Sequence, residues 1–341
     1  MTFRVLLSLL ASSSAPTTKM NRQFQFVNYG ASFDNPDESR PTISCDGRIP
    51  GGVSLELTHW AGNETPDELY ADTSTEMAIK LALHEGYARE MKNAFVLNNH
   101  FDTDGLLSVW ACLQPEQALE YSDLLIQGAE AGDFGEWSSD LGVKLDCALG
   151  EIHAQCKDDK EAFRKSLEVL PELLQDLKRT GGSSFESMWR PGLDYANKSW
   201  NNMQRRDTAL VPVGEGIVML QKPAFTSSIS PYALHRGLVE MELDESVQRI
   251  LHVNIEARSL KHFKYEKAGH GWVQKLVQRR EVPGVDSNLL VETLNNKIYG
   301  DGLWKAGGGG LVSICHTTKG LSKTAEKVAE HLARFDDGLQ G

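Results

Sequence analysis

Hydrophobic and polar positions change period several times along this chain, and each change predicts an element. Residues 53–59, VSLELTH, alternate: Val53, Leu55, Leu57 and His59 share one face and Ser54, Glu56 and Thr58 the other, as in a strand ending at His59. Thr73-Ser74-Thr75-Glu76 before Met77, Ala78, Leu81 and Ala82 predicts a helix with Thr73 as N-cap and Glu76 completing a capping box. Ala94 to Leu113, AFVLNNHFDTDGLLSVWACL, reads as apolar strand, acidic loop and apolar helix. Residues 141–177 have helical spacing, with Pro171 marking a break or a new first turn. Thr180-Gly181-Gly182-Ser183-Ser184 reads as a linker or hinge, followed by a helix to about Arg206. Residues 208–220 predict two strands around a Gly-rich turn, 250–257 another strand and 287–298 a helix. Residues 21–50 are polar and turn-rich, with FQFVNY as an edge strand.

This succession predicts an α/β protein with a mostly parallel sheet flanked by helices over residues 20–180 and a smaller C-terminal α+β domain over 207–341. Residues 181–206 are the expected helical linker. At 341 residues the chain is long enough for two cores. Residues 1–19 carry a short apolar run and a Ser/Thr tail without acids. They read as a targeting or disordered extension: a signal peptide, an organellar presequence, or residues upstream of an alternative start at Met20. The run is too short to span a membrane, and no other stretch reads as transmembrane.

A net charge of −12, a pI near 5.4 and the lack of a basic run with interleaved aromatics exclude an electrostatic footprint for extended nucleic acid. They leave room for a small anionic substrate held through a metal. The basic stretch ending at Arg280 reads as a solvated face. Five widely spaced cysteines, Cys45, Cys112, Cys147, Cys156 and Cys315, form neither a zinc pattern nor a disulfide framework. They suit thiols in a reducing, cytoplasmic setting, with targeting by residues 1–19 left open; a homodimer is the expected assembly.

Chemistry concentrates at His100, Asp102 and Asp104, just past a strand's carboxyl end, where ligands of open α/β sheets bind. An imidazole and two carboxylates suit Mn²⁺ or Mg²⁺. An EF-hand fails, because its twelfth position would be Ala111 instead of Glu. A solvated turn with one Asp capping the helix remains the plainer alternative. Asp133, between Gly132 and Gly135 in the run AGDFG, reads as a further acidic ligand or as a turn residue. His59 reads as a rim histidine, and Thr73 and Ser74 open a helix whose free N–H groups can hold a phosphate.

The run His100-Phe101-Asp102-Thr103-Asp104-Gly105-Leu106-Leu107-Ser108 resembles the first motif of the DHH phosphoesterases, in which the His and both Asp bind a catalytic metal, usually manganese. Ala71 to Met77 is similar to the Ser/Thr-rich helix start that follows the Asp-His-His motif, which places Thr58-His59-Trp60 near that motif with one His retained. No Asp-His-His occurs here, and the His59 segment precedes the His100 loop, so either the segments are permuted or the second likeness is coincidental. Gly307 to Gly310 resemble the family's Gly-Gly-Gly-His, but Leu311 stands where the His belongs and His316 lies too far along. The segments LTHW, DTSTEMA, NNHFDTDGLLSVW and AGDFG also look like an uncharacterised, largely bacterial family.

The DHH resemblance implies a metal-dependent phosphoesterase-like hydrolase of a small phosphorylated substrate. Its expected ligands are His100, Asp102, Asp104 and Asp133, with His59 and Asp104 catalytic and Thr73, Ser74, Gly105 and Ser108 binding substrate. A non-catalytic metal- or nucleotide-binding protein on the same scaffold is the alternative.

Overall fold

The computed structural model describes residues 20–205 and, beyond them, 208–214, 216–222, 229–243, 249–254, 259–264, 304–306, 312–316 and a few positions between 277 and 330. The extension 1–19, His270, and the glycines 307–310 with Leu311 lie outside the described residues.

Four strands, β1 (Gln23–Phe26), β2 (Thr42–Cys45), β3 (Leu55–Leu57) and β4 (Phe95–Asn98), form an all-parallel sheet in the order β1-β4-β2-β3. Phe95 of β4 pairs with Gln23 on one side and Thr42 on the other, and Cys45 of β2 pairs with Leu57 of β3. Every residue of β2 and β4 is buried, as central strands covered on both faces require, whereas edge strand β1 alternates between exposed and half-buried. β2 carries only four residues amid turn-rich sequence, so no period announced it.

Helices α1 (Ser74–Leu83) and α2 (Glu85–Glu90) connect β3 to β4, and α3 (Thr103–Leu113) follows β4. Then come α4 (Pro115–Glu120), α5 (Ser122–Phe134), α6 (Asp140–Ala154), α7 (Asp159–Thr180) and α8 (Glu186–Gln204). Thr73, Asp102, Ser139 and Asp158 each cap a helix by accepting a first-turn N–H, which satisfies donors that the helix itself cannot. Met77 and Leu81 of α1, Leu106 and Trp110 of α3, Leu125 of α5 and Leu145 of α6 belong to one hydrophobic core.

Two segments differ from the sequence expectation. Residues 122–134 form one helix, so Asp133 stands on its last turn instead of in a glycine turn, and Gly135 ends it with the positive φ of 62° that glycine tolerates. Pro171 lies within α7 without ending it; the chain breaks earlier, between α6 and α7. Residues 186–204 are helical as expected, and Trp189 and Leu193 of α8 join the main core.

Beyond α8 lies a smaller mixed region. Strands β5 (Ala209–Gly214) and β6 (Ile217–Lys222) form the expected hairpin, followed by α9 (Pro231–Glu240), β7 (Arg249–Asn254), β8 (Ser259–Lys264), β9 (Trp304–Ala306) and β10 (Val312–His316). The sheet order is β5-β6-β7-β8-β10-β9, with β6 and β7 parallel and the other pairs antiparallel. Val218, Leu220, Leu238 and Ile250 form its core. Among the described residues no helix is long and apolar enough to cross a membrane.

Candidate metal centre

Strand β2 lies between β3 and β4, so the carboxyl ends of three neighbouring strands open onto one crevice. Asp46 follows β2, His59 lies two residues past β3, and His100, Asp102 and Asp104 follow β4. Asp133 enters from the last turn of α5.

Asp46 is the hub. Its Oδ1 lies 3.5 Å from His59 Nε2 and its Oδ2 lies 3.3 Å from His100 Nε2. His59 Nε2 is also 3.6 Å from Asp133 Oδ2, and His100 Nε2 is 3.0 Å from Asp102 Oδ2. Two ligand groups result, Asp46-His59-Asp104-Asp133 and Asp46-His100-Asp102, each with its ligand atoms within 4.8 Å of one another. Asp46 has φ 46°, in the left-handed region that short acidic side chains enter more readily than most, and such backbone strain clusters at functional sites.

Neighbouring groups orient these side chains. His59 Nδ1 lies 2.6 Å from the carbonyl oxygen of Asp72. A carbonyl only accepts, so Nδ1 donates to it, and this bond turns Nε2 towards Asp46 and Asp133. His100 Nδ1 contacts Asn99 Oδ1 at 3.0 Å, while Asn99 Nδ2 donates to the Arg48 carbonyl and so fixes the amide's orientation. Asn98 ties the strand ends together: Nδ2 donates to the Cys45 carbonyl and Oδ1 accepts the His100 N–H.

The expected anion donors are engaged by the site's own carboxylates. Asp104 accepts the N–H of Ser74 at 2.7 Å and of Thr75 at 2.8 Å, and Asp102 accepts that of Gly105 at 2.7 Å. Thr73 Oγ1 accepts the Glu76 N–H, and the Ser74 hydroxyl donates to Asp46. Ser108 is buried, its hydroxyl donating to the Gly105 carbonyl. Ser74 and Gly105 thus bond the carboxylates of Asp104, Asp46 and Asp102, while the Thr73 and Ser108 side chains bond backbone groups of their own helices. Gly105 is small for a reason of space: a Cβ there would lie 2.8 Å from Asn98 Nδ2 and 3.3 Å from Asp46 Oδ2.

Electrostatically the crevice holds too much negative charge for its two imidazoles. Burial, with the charges of Asp104, Asp102 and Asp46 added, pushes the Asp133 carboxyl well above the usual carboxylate range, and burial raises Asp104 as well. Burial disfavours a charged His100, yet its hydrogen bonds to Asp102 and Asp46 prevail and carry its pKa up to about 11. Among the described residues, none donates a hydrogen bond to the buried Asp133 Oδ2. A buried carboxylate oxygen so placed, 3.6 Å from an imidazole nitrogen, is matched by a divalent cation with mixed oxygen and nitrogen ligands.

Residues 22–335 match the model of a family of unknown function, DUF6687. The chain belongs to that family. No curated protein matches it. Among solved structures, a pGpG-specific phosphodiesterase, PggH from Vibrio cholerae, is distantly similar, with a TM-score of 0.37, 10% identity, and 87% of this chain and 83% of that one covered.

The residue that sequence reasoning missed is Asp46. Its signal was present in miniature: Thr42-Ile43-Ser44-Cys45-Asp46-Gly47 repeats the strand-then-acid pattern of the His100 loop, but in a stretch too short and turn-rich for the period to stand out.

Proposed function

We propose that the chain is a metal-dependent, phosphoesterase-like hydrolase acting on a small anionic, phosphorylated substrate, with Mn²⁺ or Mg²⁺ as its resident cation. The observation that carries this reading is the position of Asp46, whose two oxygens face two separate ligand groups. A shared carboxylate between two sets of oxygen and nitrogen donors suits a two-cation hydrolase. His100 and Asp102 would complete one centre, and His59, Asp104 and Asp133 the other.

Bound there, divalent cations supply Lewis acidity, which neutralises phosphate charge and acidifies water. The chain's own groups hold the donors in place. The Ser74 and Thr75 N–H groups fix Asp104, the Ser74 hydroxyl steadies Asp46, and the Asp72 carbonyl sets the tautomer of His59. His59, whose Nε2 that bond turns towards Asp46 and Asp133, serves as a ligand in preference to a general acid. No side-chain nucleophile is required.

His59 precedes the His100 loop in sequence and stands beside it across Asp46, as a permuted order of DHH-like segments demands, and this supports the resemblance. The reading places the metal domain in residues 20–180 and an α+β domain in 207–341. Its setting is a reducing cytoplasm in which Cys45, Cys112, Cys147 and Cys156 are free thiols.

The test is hydrolysis of p-nitrophenyl phosphate and bis(p-nitrophenyl) phosphate by the full chain, stripped with chelator and reloaded with Mn²⁺ or Mg²⁺. Metal-dependent turnover that Asp46→Ala abolishes is expected. Turnover that ignores both chelator and Asp46→Ala would sink the reading. Saturable metal binding without turnover would favour a binding protein, a reading that draws support from the engagement of the Ser74 and Thr75 N–H groups by Asp104.

A further inference from the structure

Between the two candidate carboxylate ligands of the His100 loop, Asp102 and Asp104, stands Thr103, a buried residue that belongs to neither ligand group. It is the first residue of α3, and its hydroxyl donates to Asp146 Oδ1 on α6 at 2.5 Å. The other oxygen of Asp146 accepts the hydroxyl of Tyr232, from α9 beside the mixed sheet. The space is filled closely: a Cβ on Gly132 of α5 would lie 2.8 Å from the Thr103 Cβ and 3.0 Å from Asp146 Oδ1.

A carboxylate suits this junction. Two hydroxyl donors converge on it from different elements, and only an ionised acid accepts both without presenting a hydrogen of its own. An amide in the same place would turn its NH₂ towards one donor. Burial, and then the Asp146 charge, raise the Tyr232 phenol, so its proton stays on the hydroxyl and keeps donating. Two further contacts seat α9 against the metal half. Pro231 lies over Gly135, where a Cβ would come within 2.6 Å of it, and His235 Nδ1 accepts the Trp137 N–H at 3.1 Å.

We propose that Asp146 is a positioning residue for the metal centre. It holds Thr103, and through it the Asp102 and Asp104 carboxylates on either side, while Tyr232 makes that hold depend on the docking of α9. The mixed C-terminal region thereby sets the geometry of a site to which it contributes none of the ligands named above. This inference rests on the metal reading, and its test separates the two.

The measurement is Mn²⁺ affinity by calorimetry and by the electron paramagnetic resonance of bound Mn²⁺, on full-length wild type and four variants, with the metal-free melting temperature as a folding control. Thr103→Val and Asp146→Asn are expected to weaken Mn²⁺ binding about 10- to 100-fold, the range for partners one layer behind a ligand. Tyr232→Phe keeps the ring's packing and is expected to weaken binding several-fold, and Thr103→Ser, which restores the hydroxyl, to return it to the wild-type value. A resonance line shape changed in Thr103→Val and restored in Thr103→Ser marks altered ligand geometry, which a general loss of stability would not produce. If wild type binds Mn²⁺ and the variants bind it equally well, or Thr103→Ser is as weak as Thr103→Val, the positioning role is overturned and the metal reading survives. If wild type takes up no Mn²⁺, both fall together.

Discussion

Asp104 accepts the backbone N–H of Ser74 at 2.7 Å across a sequence separation of 30 residues, so the anion at the start of α1 is the protein's own. With the Thr75 N–H also engaged, the carboxylate of one loop caps the helix of another and ties two site segments together. Asp104→Ala is expected to destabilise the metal-free protein by about 1–3 kcal/mol for each N–H it strands. The urea midpoint reads the effect, and an unchanged midpoint would mean that the two bonds contribute nothing.

Asp46 predicts stoichiometry. Wild type is expected to bind two Mn²⁺ per chain, His100→Ala one, and Asp46→Ala none tightly, because each centre loses a shared oxygen. Calorimetric titration against Mn²⁺ distinguishes these. Equal stoichiometry in Asp46→Ala and His100→Ala would refute the shared ligand.

Asp133 predicts a trade between stability and binding. Its buried Oδ2 accepts no hydrogen bond from the described residues and sits among like charges, so Asp133→Asn is expected to stabilise the metal-free protein by about 0.5–2 kcal/mol. The same variant should lose most of the stabilisation that Mn²⁺ confers on wild type. Melting curves with and without Mn²⁺ report both quantities, and a destabilised metal-free variant would contradict the prediction.

The pH dependence has a definite sign. Folded His100 keeps its proton to about pH 11 against an ordinary 6.5, and Asp104, Asp133 and Asp146 also hold protons to higher pH than the ordinary 3.8. The native state thus binds more protons than the unfolded state, so metal-free stability falls as pH rises. The His100 share is fully present below 6.5 and is lost as pH climbs towards 11; the carboxylate share starts to go above 3.8. Mn²⁺ must displace the His100 proton, so its stabilising effect grows in the same direction. Melting at about pH 6 and about pH 8, with and without Mn²⁺, should show the metal-free transition falling and the metal-induced shift widening. A metal-free transition that rises over that interval would contradict the assignment.

Much of the local structure was legible because its causes are local. Thr73 and Asp102 sit just before apolar runs and cap the helices that those runs form. The alternation of Leu55 and Leu57 marked β3, and the parallel sheet followed from strands interleaved with helices. The Gly-rich run around Asp133 misled, since glycines that read as turns serve there as close-packing positions on α5: a Cβ on Gly128 would lie 2.7 Å from the Leu145 side chain. The engagement of the Ser74 and Thr75 N–H groups was illegible for a different reason, because the groups that take them come from another loop.

By itself the sequence determined the Ala94-to-Leu113 strand–loop–helix and its side-chain chemistry, because six consecutive positions carry an imidazole, two carboxylates and a glycine whatever surrounds them. Only the tertiary structure decided which other groups join them. Parallel pairing places β2 between β4 and β3, and that order brings Asp46 between His100 and His59. Helical periodicity then carries Asp133 in from α5, and a hydroxyl on α9 reaches Asp146 behind the loop. Backbone hydrogen bonds and burial choose strand neighbours over distances that no local period encodes, so the loop's chemistry is written in the chain and its company in the fold.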